Sequence, residues 1–245
     1  VKTNVLGTQN VLDAALSQGV GKVISVSTDK AVSPTNVMGA TKLLAERLTI
    51  SANSYRGHKK TTFSCVRFGN VLNSRGSVVP IFLKQIKAGG PVTITHPNMK
   101  RFVMDIPSAA KLVLKAAAIA QGREIFILKM PVMRIIDLAE VMIEIYSPRF
   151  GYNPADIRID TIGLRCGEKI DEVLMTPDET TSACESDEMF MILSKKLPYG
   201  EEISVSVPEG FREVSVGTYS SDDGRVLTKE EIRGILKDNP DLCLN

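Results

Sequence analysis

The 245-residue chain has no tryptophan and only two histidines, His58 and His96. Aromatics make up 5% of it and are not interleaved with basic side chains, which removes the usual base-stacking surface for RNA. A net charge of +2 gives neither a nucleic-acid footprint nor an acidic tail. The four cysteines, Cys65, Cys166, Cys184 and Cys243, lie far apart with no C-x-x-C pair. That spacing argues against a zinc site and against a disulfide framework, so reduced thiols in a cytoplasmic protein are expected. The longest apolar helical stretch, about 109–120, carries Lys111 and Lys115 and is too short to span a bilayer. No basic and apolar leader is visible at Val1-Lys2-Thr3. Also missing is a G-x-x-G-x-x-G turn between a strand and a helix: Gly39, Gly69 and Gly76 stand singly, and Gly89-Gly90 opens a turn.

What is present is an ordinary globular balance, 43% apolar with mean hydropathy +0.03, enough for a substantial core. Val5, Thr8, Leu12, Ala15 and Leu16 share one face of a 3.6-residue repeat, predicting a helix over 4–18. Strands are expected at 22–27, 62–68, 92–95, 124–128, 157–162, 189–193 and 202–207. Helices are expected at 37–52, 77–88, 135–146 and 168–175, and behind Pro107 up to Gly122. Thr228 and Glu231 have capping-box spacing, predicting a final helix over 228–236. Strands alternating with helices favour a parallel α/β sheet with helices on both faces.

The chemistry concentrates between Ser27 and Lys42, S-T-D-K-A-V-S-P-T-N-V-M-G-A-T-K, where an apolar strand ends and a helix begins. A polar tripeptide after a strand is commonly just a solvated turn. However, the carboxyl end of a buried strand is also where open α/β sheets bind ligands, and Met38 and Lys42 lie one helical turn apart downstream. His58 and His96 have no carboxylate, Ser or Cys partner at a suggestive spacing and read as loop residues.

This segment resembles the extended short-chain dehydrogenase/reductase superfamily, in which a strand-end Ser/Thr precedes a Tyr-x-x-x-Lys. More closely, it is similar to the UDP-N-acetylglucosamine 4,6-dehydratases of polysaccharide biosynthesis. N-V-L-G-T-Q-N-V from Asn4, R-F-G-N-V-L-N-S-R-G-S-V-V-P from Arg67 and G-G-P-V-T-I-T-H-P from Gly89 match that group in order. R-F-V-M from Arg101 and G-L-R-C-G-E-K from Gly163 follow, so the resemblance covers roughly residues 1–195.

The resemblance implies NAD- or NADP-dependent removal of water from a UDP-N-acetylhexosamine, giving a 4-keto-6-deoxy sugar nucleotide for surface glycans. Asp29 would protonate the C6 hydroxyl and Lys30 would take the C5 proton. A lysine can be such a base only where burial or a nearby cation makes it neutral. Thr28 would hydrogen-bond the C4 oxygen. Lys42 would hold the cofactor ribose, with Asn4 and Phe68 also on the cofactor side. Met38 stands where the superfamily has Tyr. A thioether moves no proton, so that task passes to Lys30 or Lys42, and Met at this position marks one active branch of the group. Asn70 resembles the residue that contacts the sugar diphosphate, Arg101 and Arg165 its two diphosphate-binding arginines, and Glu168 the acid on the nucleotide ribose. Cys166 replaces the Pro of the usual R-P-G-E-K. Arg67 is open to a purely structural reading.

By the same resemblance the first part of the Rossmann domain, with its glycine-rich cofactor cradle, is expected to lie upstream. The chain then divides into a C-terminal Rossmann part with the catalytic segment (1–75), a mixed substrate-binding lobe with returning Rossmann elements (76–200) and a tail (201–245). The full-length enzyme is expected to be a homo-oligomer without nucleic-acid partners. Two alternatives stay open: a UDP-sugar C4-epimerase, which shares the hydride step but loses no water, and a non-catalytic remnant.

Overall fold

The structure, a computed structural model, describes residues 1–72, 74, 77–193, 207–215 and 217–238. In chain order, a π-helical stretch Lys2–Gly7 leads into α1 (Thr8–Ser17), β1 (Lys22–Thr28), a 3₁₀ turn Asp29–Ala31, α2 (Val37–Tyr55) and β2 (Thr62–Phe68). Then come β3 (Asn70–Val71), α3 (Val78–Lys87), β4 (Val92–Ile94), β5 (Lys100–Met104), α4 (Ile106–Ile119), β6 (Glu124–Leu128), β7 (Val132–Arg134) and α5 (Ile135–Tyr146). The remainder is β8 (Ile159–Thr161), β9 (Val173–Met175), α6 (Pro177–Thr180), β10 (Ala183–Glu185), β11 (Met189–Leu193), β12 (Arg212–Glu213), β13 (Tyr219–Ser220) and α7 (Lys229–Asp238).

Long periodic elements form where the pattern puts them, and α7 is capped by Thr228 and Glu231 as spaced. The helix expected at 168–175 does not form: a turn leads into β9 instead, since Val173, Leu174 and Met175 alternate towards an antiparallel partner, β13. The strand expected at 202–207 lies, except for Val207, outside the described residues.

Two compact units emerge, each gathered from three stretches of chain. The first takes 1–69, 107–129 and 173–220. Its six-stranded sheet runs β1-β2-β6-β11-β10-β12. β1, β2 and β6 are parallel, while β11, β10 and β12 add in antiparallel fashion. The expected parallel sheet is therefore the first half of a mixed one: after β6 the chain leaves this unit over 130–172, and β11 comes back against β6 in the antiparallel sense. Its apolar core joins Val66, Phe126, Met189 and Met191 to Leu112 and Ala116 of α4.

The second unit takes 70–106, 130–172 and 221–245. It holds the three-stranded sheet β3-β5-β7 and the pair β4-β8, with Phe82, Ile86, Leu138, Met142 and Ile232 at the centre of its core. Among the described residues no helix is long and apolar enough to cross a membrane.

α2 packs on the first sheet through an unusual face. Its buried residues include Glu46, Thr49 and Asn53 beside the smaller Gly39, Ala45 and Ala52, so apolar periodicity marks it poorly. Each buried polar group is satisfied. The Thr49 hydroxyl donates to the Ala45 carbonyl (2.9 Å). Asn53 works as a clamp on β2: Nδ2 donates to the Phe63 carbonyl (2.7 Å) and Oδ1 accepts from the Phe63 N–H (3.1 Å). The clamp leaves no room nearby. A Cβ on Gly122, whose φ is +110°, would lie 2.5 Å from Asn53 Oδ1.

Replacing Asn53 by Leu would strand the buried Phe63 N–H, while the Phe63 carbonyl keeps the Arg123 N–H at 2.8 Å. The expected loss is about 2 kcal/mol, read as a melting temperature lower by roughly 4–8 °C for a chain this size. An unchanged melting temperature would show that the clamp contributes nothing.

Candidate functional site

β1 delivers its last residue, Thr28, to the carboxyl end of the parallel half of the sheet, and the chain turns there through Asp29, Lys30 and Ala31. The Thr28 hydroxyl donates to Asp29 Oδ1 at 2.5 Å. The same oxygen accepts from the Lys30 backbone N–H at 2.9 Å, and Lys30 Nζ lies 3.0 and 3.2 Å from the two carboxylate oxygens. Asp29 is 1% exposed, whereas the Lys30 side chain is 40% exposed. The three residues thus form one hydrogen-bonded chain reaching from the interior to the surface. The sequence reading made a basic Lys30 conditional on burial or a cation; the partner observed is the Asp29 carboxylate.

Asn36 starts α2, its side chain accepting from the Gly39 N–H at 2.9 Å. Gly39 then lets the helix close onto the turn: a Cβ there would stand 2.3 Å from the Lys30 carbonyl oxygen and 3.0 Å from Pro34 Cβ. Met38 is 43% exposed at the rim. Lys42, half-buried one turn on, finds no hydrogen-bond or ion-pair partner for Nζ among the described residues. A cation left available there suits ribose hydroxyls, so the chemistry of Lys42 fits the nicotinamide end of an NAD(P). The glycine-rich turn that would fit its diphosphate does not occur in the sequence.

The remaining expected residues divide into committed and available. Asn4 Nδ2 donates to Thr41 Oγ1 (3.0 Å), tying the opening π-helical stretch to α2. Phe68 is partly buried against the apolar core of the sheet. In the second unit Arg101 is only 7% exposed. Its guanidinium donates to the carbonyls of Lys100 (2.7 Å), Ile170 (2.8 Å) and Lys169 (2.8 Å), with Glu172 3.9 Å from Nε. Arg101 therefore braces the 169–170 loop. Glu168 folds back, Oε2 accepting from the Arg165 backbone N–H at 3.0 Å. The Arg165 side chain is exposed, Asn70 sits in β3 beside Val103, and neither side chain has a partner among the described residues.

The fold bears out the structural reading of Arg67 and joins it to two glutamates that carry no signal in the sequence. Arg67, 1% exposed, forks onto Glu46 through Nε (3.0 Å) and Nη2 (2.6 Å), and onto Glu179 through Nη1 (2.9 Å) and Nη2 (2.7 Å). Its remaining donor meets the Leu174 carbonyl at 2.8 Å. Burial lowers the Arg67 pKa, but hydrogen bonds and charge from the two glutamates more than reverse this and hold it above the ordinary value. For Glu179 burial raises the carboxyl pKa, and Arg67, helped by the Thr176 N–H, more than offsets that, leaving it below the usual range. Burial, with Glu46 adding, pushes the Cys65 thiol up, so that cysteine is not a nucleophile. A Glu in one helix and an Arg 21 residues on in the next strand carry no local signal of pairing.

Two outcomes follow. Gly39→Ala should cost about 2 kcal/mol by overpacking against the Lys30 backbone, measurable in urea unfolding; an unchanged midpoint would mean that the helix start shifts freely. Glu179 should contribute stability that is fully present above its unfolded pKa, near 4.3, and is lost as pH falls through its lowered folded value. Glu179→Gln should therefore flatten the acid limb of a stability–pH curve between about pH 5 and pH 3; an identical limb would contradict the pairing.

The polysaccharide biosynthesis protein family model matches residues 1–194. An uncharacterized membrane protein of Methanocaldococcus jannaschii is 55% identical over 97% of the chain and 68% of its own length. At 37% identity the chain matches a UDP-N-acetylglucosamine 4,6-dehydratase (inverting) of Campylobacter jejuni over 94% of itself and 67% of that protein. A UDP-glucose 4-epimerase of Rickettsia canadensis is also 37% identical, over 96% and 67%. The X-ray structure of Pen from Bacillus thuringiensis superposes with a TM-score of 0.85 at 45% identity, over 97% of this chain and 68% of that one. The chain thus spans about two-thirds of the length of these relatives and carries the α/β Rossmann-type architecture of nucleotide-sugar dehydratases and epimerases. With 194 of its 245 residues under the family model, the chain belongs to the polysaccharide biosynthesis protein family.

Proposed function

We propose that this protein removes water from a UDP-N-acetylhexosamine, UDP-N-acetylglucosamine being the first candidate. The observation that carries this reading is the continuous Thr28–Asp29–Lys30 hydrogen-bonded chain at the end of β1. Dehydration across C5–C6 needs a base for one carbon and an acid for the neighbouring hydroxyl, within reach of each other. NAD or NADP, when bound, supplies the acceptor of hydride at C4 and the donor of hydride at C6. Lys42 would hold its ribose, and Thr28 orients the C4 oxygen, whose hydroxyl proton passes to solvent as hydride leaves C4; a solvent proton returns to C5 as hydride arrives at C6. With the proton the pair shares lying on Asp29, Lys30 is its neutral partner and takes the proton that the 4-keto group has made acidic at C5, while Asp29 gives its proton to the departing C6 hydroxyl. The 3.0 Å contact between Lys30 and Asp29 lets the pair restore itself by passing the proton from amine to carboxylate. Asn70 and Arg165, whose side chains are available, take the diphosphate, and Arg101 keeps their neighbouring loop in shape. The C. jejuni relative supports dehydration.

The R. canadensis relative favours a second reading, C4 epimerisation, in which the 4-ketone is reduced from its other face and no water leaves. Mass separates the two. Full-length protein given UDP-N-acetylglucosamine and NAD(P) should release a 4-keto-6-deoxy sugar nucleotide lighter by one water, with solvent deuterium at C5. A product of unchanged mass would favour the epimerase. Asp29→Asn should lower kcat by roughly 10²–10⁴-fold, and wild-type rates in that variant would remove Asp29 from the mechanism.

A further inference from the structure

α2 touches its sheet through three directed contacts, seven residues apart: Gly39 against the Lys30 backbone, Glu46 in the fork of Arg67, and Asn53 clamped on Phe63. The Glu46 contact is one turn beyond Lys42 on the same face of the helix. Of the three it is also the one that reaches furthest along the chain, through Arg67 to Glu179. Arg67 binds Glu46 and, with its other edge, Glu179 and the Leu174 carbonyl, so all five of its N–H donors are used. Glu179 is itself fixed, Oε2 accepting from the Thr176 N–H at 3.0 Å as its side closes a capping box. In β2 the register partner of Arg67 is Ser27, the residue before Thr28.

Such a cluster is a costly way to hold a fold together. Three charged groups lose water, and well-packed apolar residues of the same volume commonly give equal or greater stability. What apolar residues do not give is direction. Two bidentate forks fix the angle and height of a helix to fractions of an ångström, whereas small apolar contacts such as Ala45 and Ala52 allow it to slide.

We propose that Glu46, Arg67 and Glu179 are positioning residues: they set the register of α2 over the ends of β1 and β2, and through it the placement of Lys42 and Met38 beside Thr28–Asp29–Lys30. The turnover arm of the test rests on the dehydratase reading; the exchange arm does not.

The test is the triple apolar variant Glu46→Leu/Arg67→Met/Glu179→Leu in the full-length protein, with Arg67→Lys beside it. The triple variant should melt within a few degrees of the wild type. Its amides over 37–46 should exchange with deuterium at least about tenfold faster. Its kcat should fall on the order of 100-fold with KM for the UDP-sugar little changed, as for a misplacement of about an ångström. Arg67→Lys, which keeps charge but loses the forks, should show the same kcat loss. Wild-type exchange over 37–46 in the triple variant would overturn the proposal, as would a kcat loss matched only by a collapse in melting temperature. If the wild type itself turns over no UDP-sugar, the dehydratase reading fails and the exchange result alone decides the positioning role.

Discussion

A single guanidinium sets the geometry of the candidate catalytic unit. Arg67 sits at the carboxyl end of β2 with every donor engaged, one fork on the helix that carries Lys42 and the other on a segment 112 residues further along the chain. Losing either glutamate would leave a buried charge short of its partner, which is why the loss of one member is expected to hurt far more than replacement of all three. The pKa shifts express the same dependence: Arg67 held high against burial, Glu179 held low against it.

Around that constraint, the polar interior of α2 becomes intelligible. A helix with Glu46, Thr49 and Asn53 on its buried face looks badly designed if the hydrophobic effect alone places it. Each group has its partner, though: Glu46 and Asn53 each reach a specific point on the sheet, and Thr49 bonds back to its own helix at the Ala45 carbonyl. The close approach at Gly39 completes this arrangement and brings the helix start hard against the Asp29–Lys30 turn. The Thr28–Asp29–Lys30 chain and the helix start that bears Met38 and Lys42 are thereby carried on neighbouring rigid pieces, not on free loops.

In the second unit the division between committed and available side chains is as informative as the motif matches. Arg101 and Arg165 look alike in the sequence, each in a polar block, yet Arg101 spends its hydrogen bonds on the carbonyls of 169–170 while Arg165 keeps its side chain in solvent. Burial is what separates a brace from an available side chain here, and burial is a property of packing.

The sequence by itself determined the elements with strong local periodicity, among them β2, β6, α5 and β11, because apolar spacing and turn residues act over a few residues. It also placed Thr28, Asp29, Lys30, Met38 and Lys42 in one segment, since the strand, the turn and the helix that carry them are consecutive. The strands β5, β7, β9 and β10 are not legible, β9 reading as part of a helix, because their three to five residues lack the flanking turn residues and apolar run that mark β6 and β11. Only the tertiary structure decided that the sheet becomes antiparallel beyond β6 and that each unit is assembled from three separate stretches. It alone decided, too, that Arg67 joins Glu46 to Glu179. Ion pairing is fixed by where folding brings charges together, and no local spacing encodes it.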